Sequence, residues 1–154
     1  MSKKLFLVFQ LNKERFAIES QYVTEVLPMV NISHIPKTRD YVAGMINYRG
    51  AMTPVIDLCR LLTKHYCEQK VCSRIIIINN KYHNEFSHTG IVAEQVNNTA
   101  RLDSEQFVQH TLIKNGTDYL GYIAQDGDHE IQIIELDRLL PEEVNHVSLN
   151  RIAR

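Results

Sequence analysis

Several hallmarks of chemistry are missing from these 154 residues. Glycine occurs six times and always in isolation, so there is no glycine-rich loop to cradle a phosphate. The one Asp126-Gly127-Asp128 run lacks the later ligands of a calcium loop. Three cysteines, at 59, 67 and 72, are too few and odd in number for an extracellular disulfide framework, and reduced thiols are expected. No serine or cysteine sits in a nucleophile-elbow context, which argues against a covalent hydrolase. The net charge is −1 with lysine and arginine scattered singly, and this excludes the basic footprint of a nucleic-acid binder. No apolar run approaches the roughly 20 residues of a membrane span. Met1 to Leu5 leads into a strand pattern without the apolar core of a signal peptide, so a cytoplasmic protein without direct membrane insertion is expected.

One cluster invites a metal reading. Cys59, His65, Cys67 and Cys72 offer four candidate ligands within fourteen residues, but only His65 and Cys67 have the close spacing that structural zinc sites use on each turn. Unliganded thiols, acting as small buried hydrophobes, are the preferred reading. A small zinc-binding module is one alternative, and an enzyme whose site is assembled from distant residues is another.

What the chain does contain is a succession of short apolar runs divided by turn residues. Residues 5–10 and 15–18, separated by Asn12-Lys13-Glu14, read as a hairpin. Ser20 is expected to cap a helical turn with Val23, Val26 and Leu27 on one stripe, Glu25 facing away and Pro28 ending it. Residues 42–62 read as strand, turn, strand and helical turn. Gly50 supplies a positive φ beside a solvated Arg49, and Asp57 caps the helix. Pro54 has no N–H to donate, so the second strand must lie at an edge, begin there or be bulged.

The irregular stretch 63–73 is a candidate connector between subdomains. Residues 75–78, four isoleucines, read as a strand buried on both faces, with residues 90–93 as its return. A short helix and a loop are expected in 102–116. Asp126-Gly127-Asp128 should turn a hairpin, and Asp137 should cap a last helical turn. Residues 55–62 and 133–140 share the order apolar pair, acid, Leu, Arg, Leu, Leu, a sign of two similar halves. Many short strands and few long helical patterns predict closed antiparallel barrels in a chain sized for one domain.

The motif G-x-I-N-x-R-G-x-x-x-P-V-I-D-L-x-x-L-L, spanning Gly44 to Leu62, resembles the signature of the CheW-like family. The resemblance extends to the first strand, to V-x-E-V at 23–26, to Gly90-Ile91-Val92 and to the closing 133–140. It implies an all-β fold of two small SH3-like five-stranded antiparallel barrels packed together, with short helical turns, forming a single domain over 1–154 with a C-terminal tail at 141–154. It also implies a non-catalytic adaptor, without cofactor, that couples the cytoplasmic tip of a methyl-accepting chemoreceptor to the regulatory domain of a CheA-type histidine kinase. Carried over residue by residue, Val23, Glu25, Arg49, Gly90 and Val96 are the expected receptor-coupling positions, and Gly44 and Ile46 the kinase-binding ones. A CheW-like coupler of a non-motility pathway is the alternative. The polar stretch 81–88 is longer than the corresponding hairpin loop of the family.

Overall fold

The structure, a computed structural model, describes residues 3–63, 65–68, 71–79, 88–96, 98–109 and 121–139. More than half of it is strand, and its two helices are short. In chain order these are β1 (Lys3–Leu11), β2 (Glu14–Glu19), β3 (Val23–Pro28), β4 (Val42–Tyr48), β5 (Ala51–Asp57), helix α1 (Leu58–Leu62), β6 (Arg74–Asn79), β7 (His88–Ala93), β8 (Asn98–Asp103), β9 (Val108–Gln109), β10 (Tyr122–Asp126), β11 (His129–Ile133) and helix α2 (Leu136–Leu139).

Two curled sheets result. One runs β8-β1-β2-β11-β10-β9 and the other β3-β6-β7-β5-β4. The chain starts in the first sheet, builds the second from β3 to β7, and returns to complete the first. Residues 63–73 therefore lead from α1 to β6 within the second sheet. Each sheet also holds one parallel pair, β11 with β2 and β5 with β7, among antiparallel neighbours. The internal echo marks these places, since β5 runs into α1 and β11 is followed by α2.

Period-two alternation explains why the apolar runs are continuous. In β6, Ile75 and Ile77 fill the interior of the five-stranded sheet, while Ile76 and Ile78 face a core shared between the sheets. In β1, Phe6 and Val8 fill the six-stranded sheet, while Phe9 and Leu11 join the shared core. β2 and β7 divide in the same way: Ala17 and Val92 point into their own sheets, Phe16, Ile18, Ile91 and Ala93 between them. A strand buried on both faces has no polar side to show, hence the four consecutive isoleucines. Leu58, Leu136 and Leu139 from the two helices close the shared core.

Turns fall where the sequence places them. Asn12 and Lys13, both at positive φ, join β1 to β2, and Gly127 at φ +64° opens the two-residue loop of β10–β11. β5 gains its second neighbour, β7, only from Val55 onward, so Pro54 sits where one side of the strand is unpaired.

Two local expectations are corrected. Only Ser20–Tyr22 is helical, as a single 3₁₀ turn, and Val23–Pro28 is a strand whose burial alternates along its length. Its spacing fits a helical stripe equally well, but β6 offers a full row of backbone partners, and tertiary pairing decides. In 102–116 the described part is the end of β8, a 3₁₀ turn at Ser104–Gln106 and the two-residue β9. The stretch 81–87, the cap at Asp137 and the tail 141–154 lie outside the described residues or side chains.

Candidate functional site

The five-stranded sheet ends in two edges, β3 and β4, and two of the expected coupling residues, Glu25 and Arg49, come together where these edges meet. Backbone pairing starts the closure: Ser33, after β3, exchanges hydrogen bonds with Met45 of β4, both 2.9 Å. The approach is so close that a Cβ on Gly44 would lie 2.1 Å from the Ser33 carbonyl oxygen, and Gly44 has φ +143° at a register shift of β4. Only glycine combines that conformation with that contact.

Side chains complete the seam. The β4–β5 turn places Arg49 (φ +51°) and Gly50 (φ +84°) between the paired Tyr48 and Ala51, and Asn47 Oδ1 accepts the Gly50 N–H at 2.9 Å. Two positive φ values in succession mark the tight turn that suits the twist of paired strands. Tyr48 and Arg49 are thereby aimed at β3. One carboxylate oxygen of Glu25, Oε1, accepts both the Tyr48 hydroxyl at 2.7 Å and Arg49 Nη2 at 2.9 Å. The Arg49 guanidinium also lies 5.3 Å from the Tyr48 ring centroid. On its other side the Tyr48 ring meets His88 edge-on at 5.4 Å.

The three groups differ in exposure. The Arg49 side chain is 71% exposed and that of Glu25 37%, while Tyr48 is buried. Tyr48 titrates above the ordinary tyrosine value, first because its hydroxyl is bonded to Glu25, then because it is buried; the Arg49 charge opposes the shift. The site therefore holds a carboxylate fixed by a buried phenol, with a largely solvated guanidinium held over it.

The other expected positions divide between seam and core. Register places Glu25 beside Ile77, Ile77 beside Gly90, Gly90 beside Val55 and Val55 beside Gly44, so three of the expected residues share one row across the sheet. Gly90 is buried, and a Cβ there would approach Ile75 to 3.0 Å and Val55 to 3.2 Å. Val23 and Val96 pack in the shared core, and Ile46 is buried with Tyr48 inside the five-stranded sheet. Sequence reasoning missed Tyr48 as the third partner of the pair and His88 behind it. The only signal was a tyrosine immediately before the turn arginine.

The cysteines correct a further expectation. Cys59 and Cys67 are joined by a disulfide, and only Cys72 is a free thiol. The cause is local. Asp57 caps α1 by accepting the Arg60 N–H at 3.0 Å, and the same carboxylate accepts the Cys67 N–H at 3.1 and 3.2 Å. The chain is thus drawn back over α1 until the two cysteine Cα atoms are 5.0 Å apart. Among the described residues the four weighed as zinc ligands are not assembled; Cys59 and Cys67 are grouped with Asp57 instead. Burial pushes the Asp57 carboxyl above the usual range, against the pull of its backbone donors.

Comparison with known proteins gives one answer at three levels. The family model described as the CheW-like domain matches residues 5–144. The chain is 27% identical over 137 residues to the chemotaxis protein CheW of Thermotoga maritima, covering 88% of this chain and 87% of that one. It is 25% identical over 142 residues to CheW of Klebsiella aerogenes (90% and 82%), and 25% identical over 139 residues to protein FrzA of Myxococcus xanthus (88% and 84%). Among solved structures, the scaffolding protein TtCheW of Thermoanaerobacter tengcongensis superimposes with a TM-score of 0.74 at 29% identity, over 88% of this chain and 86% of that one.

Proposed function

The chain belongs to the CheW-like family, whose members are non-catalytic scaffold proteins, and we propose that it is a chemotaxis coupling adaptor that holds a chemoreceptor tip on one surface and a CheA-type kinase regulatory domain on another. The observation that carries the reading is the seam of the five-stranded sheet. A coupler needs a surface whose shape is fixed yet whose charged groups remain available. Here Glu25 is held by the buried Tyr48 hydroxyl, while Arg49 stays largely in water.

Receptor coupling is assigned to Glu25 and Arg49 at the seam and to the apolar positions Val23, Gly90 and Val96 as a groove between the two barrels. Kinase binding is assigned to β4 at Gly44, which permits the close approach to Ser33, and at Ile46, which is buried inside the sheet. The adaptor carries no reaction. It transmits by keeping receptor and kinase in one assembly, so that a receptor state with different affinity for the assembly shifts the kinase between states. Among the described residues no helix is long and apolar enough to cross a membrane, so receptor contact would bring this chain to the array.

The test is reconstitution of the purified chain with a CheA-type kinase and receptor from the same genome. Co-elution of all three and receptor-dependent control of kinase autophosphorylation are expected. Co-elution without control by any receptor of that genome would favour a non-motility coupler, and failure to bind the kinase would overturn the reading.

A further inference from the structure

The Cys59–Cys67 disulfide plays no part in the coupling surface, and the two sulfurs differ in their surroundings. Cys59, on α1, is only 4% exposed, whereas Cys67 is half-buried. Cys67 packs against both the shared core and the core of the five-stranded sheet, so it marks where residues 65–68 are held to the body of the domain. Polar ties of this segment include the Cys67 N–H to Asp57, the Glu68 N–H to Glu94 at 2.6 Å, the Ser73 hydroxyl to the Glu68 carbonyl oxygen at 2.6 Å, the His65 N–H to Thr63 Oγ1 at 3.0 Å, and exposed Tyr66 with the Arg60 guanidinium 5.0 Å from its ring. Beside the disulfide a cleft of about 310 Å³, lined by Asn12, Lys13, Cys59, His65, Tyr66 and Glu94 among others, opens to solvent.

We propose that Cys59 and Cys67 form a reversible thiol–disulfide site, open to a dithiol reductant, that sets whether the segment after α1 is clasped to the domain. A reductant thiolate attacks Cys67 Sγ, the sulfur of the less buried of the two residues. The Cys59–Cys67 bond breaks as the new bond to the reductant forms, and the electron pair leaves on Cys59, which takes a proton. The second thiolate of the reductant then attacks its own partner sulfur in the mixed disulfide and releases Cys67, which is protonated in turn. In sum, one protein disulfide and one dithiol become one protein dithiol and one cyclic disulfide, a transfer of two electrons and two protons.

Both states have partners ready. Cys67 Sγ lies 3.5 Å from the Val92 carbonyl oxygen, an acceptor for the thiol once the bond is open. The Asp57 carboxylate keeps the helix cap through the Arg60 N–H, so opening loosens residues 65–68, the Cys67 N–H among them, without dismantling α1.

The test uses the intact wild-type chain. Isolated without reductant, it should take one alkyl group from iodoacetamide, at Cys72; after excess dithiothreitol, three; and after return to oxidised dithiothreitol, one again. On reduction, amide exchange at residues 65–68 should quicken by about tenfold or more while Ile75 to Ile78 stay unchanged. Three alkylations in the unreduced protein, or failure to re-form the bond, would overturn the site. Unchanged exchange at 65–68 would overturn the clasp. If the reduced chain instead retains one equivalent of added zinc through gel filtration and then resists oxidation, the pair with Asp57 is a metal site and the proposal is wrong.

Discussion

Reversing the charge at Arg49 separates coupling from folding. The arginine side chain is 71% exposed and its 2.9 Å contact with Glu25 is largely solvated, so the pair is worth about 0.2–1 kcal/mol to stability. Residue 49 keeps a non-glycine side chain at φ +51° in either form, so the turn itself is not further strained. Arg49→Glu should therefore cost no more than about 1 kcal/mol, a fall in melting temperature of about 2–4 °C for a chain of this size. The surface changes far more, because two carboxylates would then face each other beside Tyr48.

The expected result is a folded variant that binds the kinase but loses receptor-dependent control of autophosphorylation. Glu25→Arg is not its mirror image. It removes the acceptor of the buried Tyr48 hydroxyl, which costs about 1–3 kcal/mol when left unmet. The double variant Glu25→Arg/Arg49→Glu restores opposite charges but not that acceptor, so coupling should recover in part and stability should not. Full receptor control by Arg49→Glu would refute a coupling role for the arginine. An unfolded Arg49→Glu would show that the seam depends on the ion pair.

Three further outcomes are expected. Tyr48→Phe removes one hydrogen bond from Glu25 and should cost about 1 kcal/mol by denaturant titration, with Arg49 still paired. Gly44→Ala would set a Cβ 2.1 Å from the Ser33 carbonyl oxygen at a φ disfavoured for alanine, and should destabilise by more than about 1 kcal/mol; a neutral effect would mean that the edges are not closed. Asp57 titrates above its unfolded value, so the native state holds the proton more tightly. Its contribution is fully present below the ordinary Asp value of 3.8 and is lost as pH rises through the raised folded value, so the stability of wild type relative to Asp57→Asn should fall as pH rises from about 3.8 to that folded value and then level off. A pH-independent difference would show that the backbone donors cancel the effect of burial.

The all-β class, the hairpin turns, the strands buried on both faces and the family signature were legible in the sequence. Each is a local statement: period-two alternation, turn residues, a run of isoleucines with no polar side. Glu25 and Arg49 were legible as a candidate pair only through the family motif, because nothing local joins residues 24 positions apart. Tertiary structure decided the rest. It made Val23–Pro28 a strand because β6 presents a row of unsatisfied backbone groups, which outweighs a spacing compatible with either period. It set a parallel pair into each sheet, β11 beside β2 when the chain returns to the first sheet and β7 beside β5 after the chain has passed through β6, an order that alternation cannot encode. It added Tyr48 to the ion pair because two edges must close on each other. It joined Cys59 to Cys67 because one carboxylate caps a helix and holds a distant N–H at once, and such a double contact exists only when the chain has already folded back.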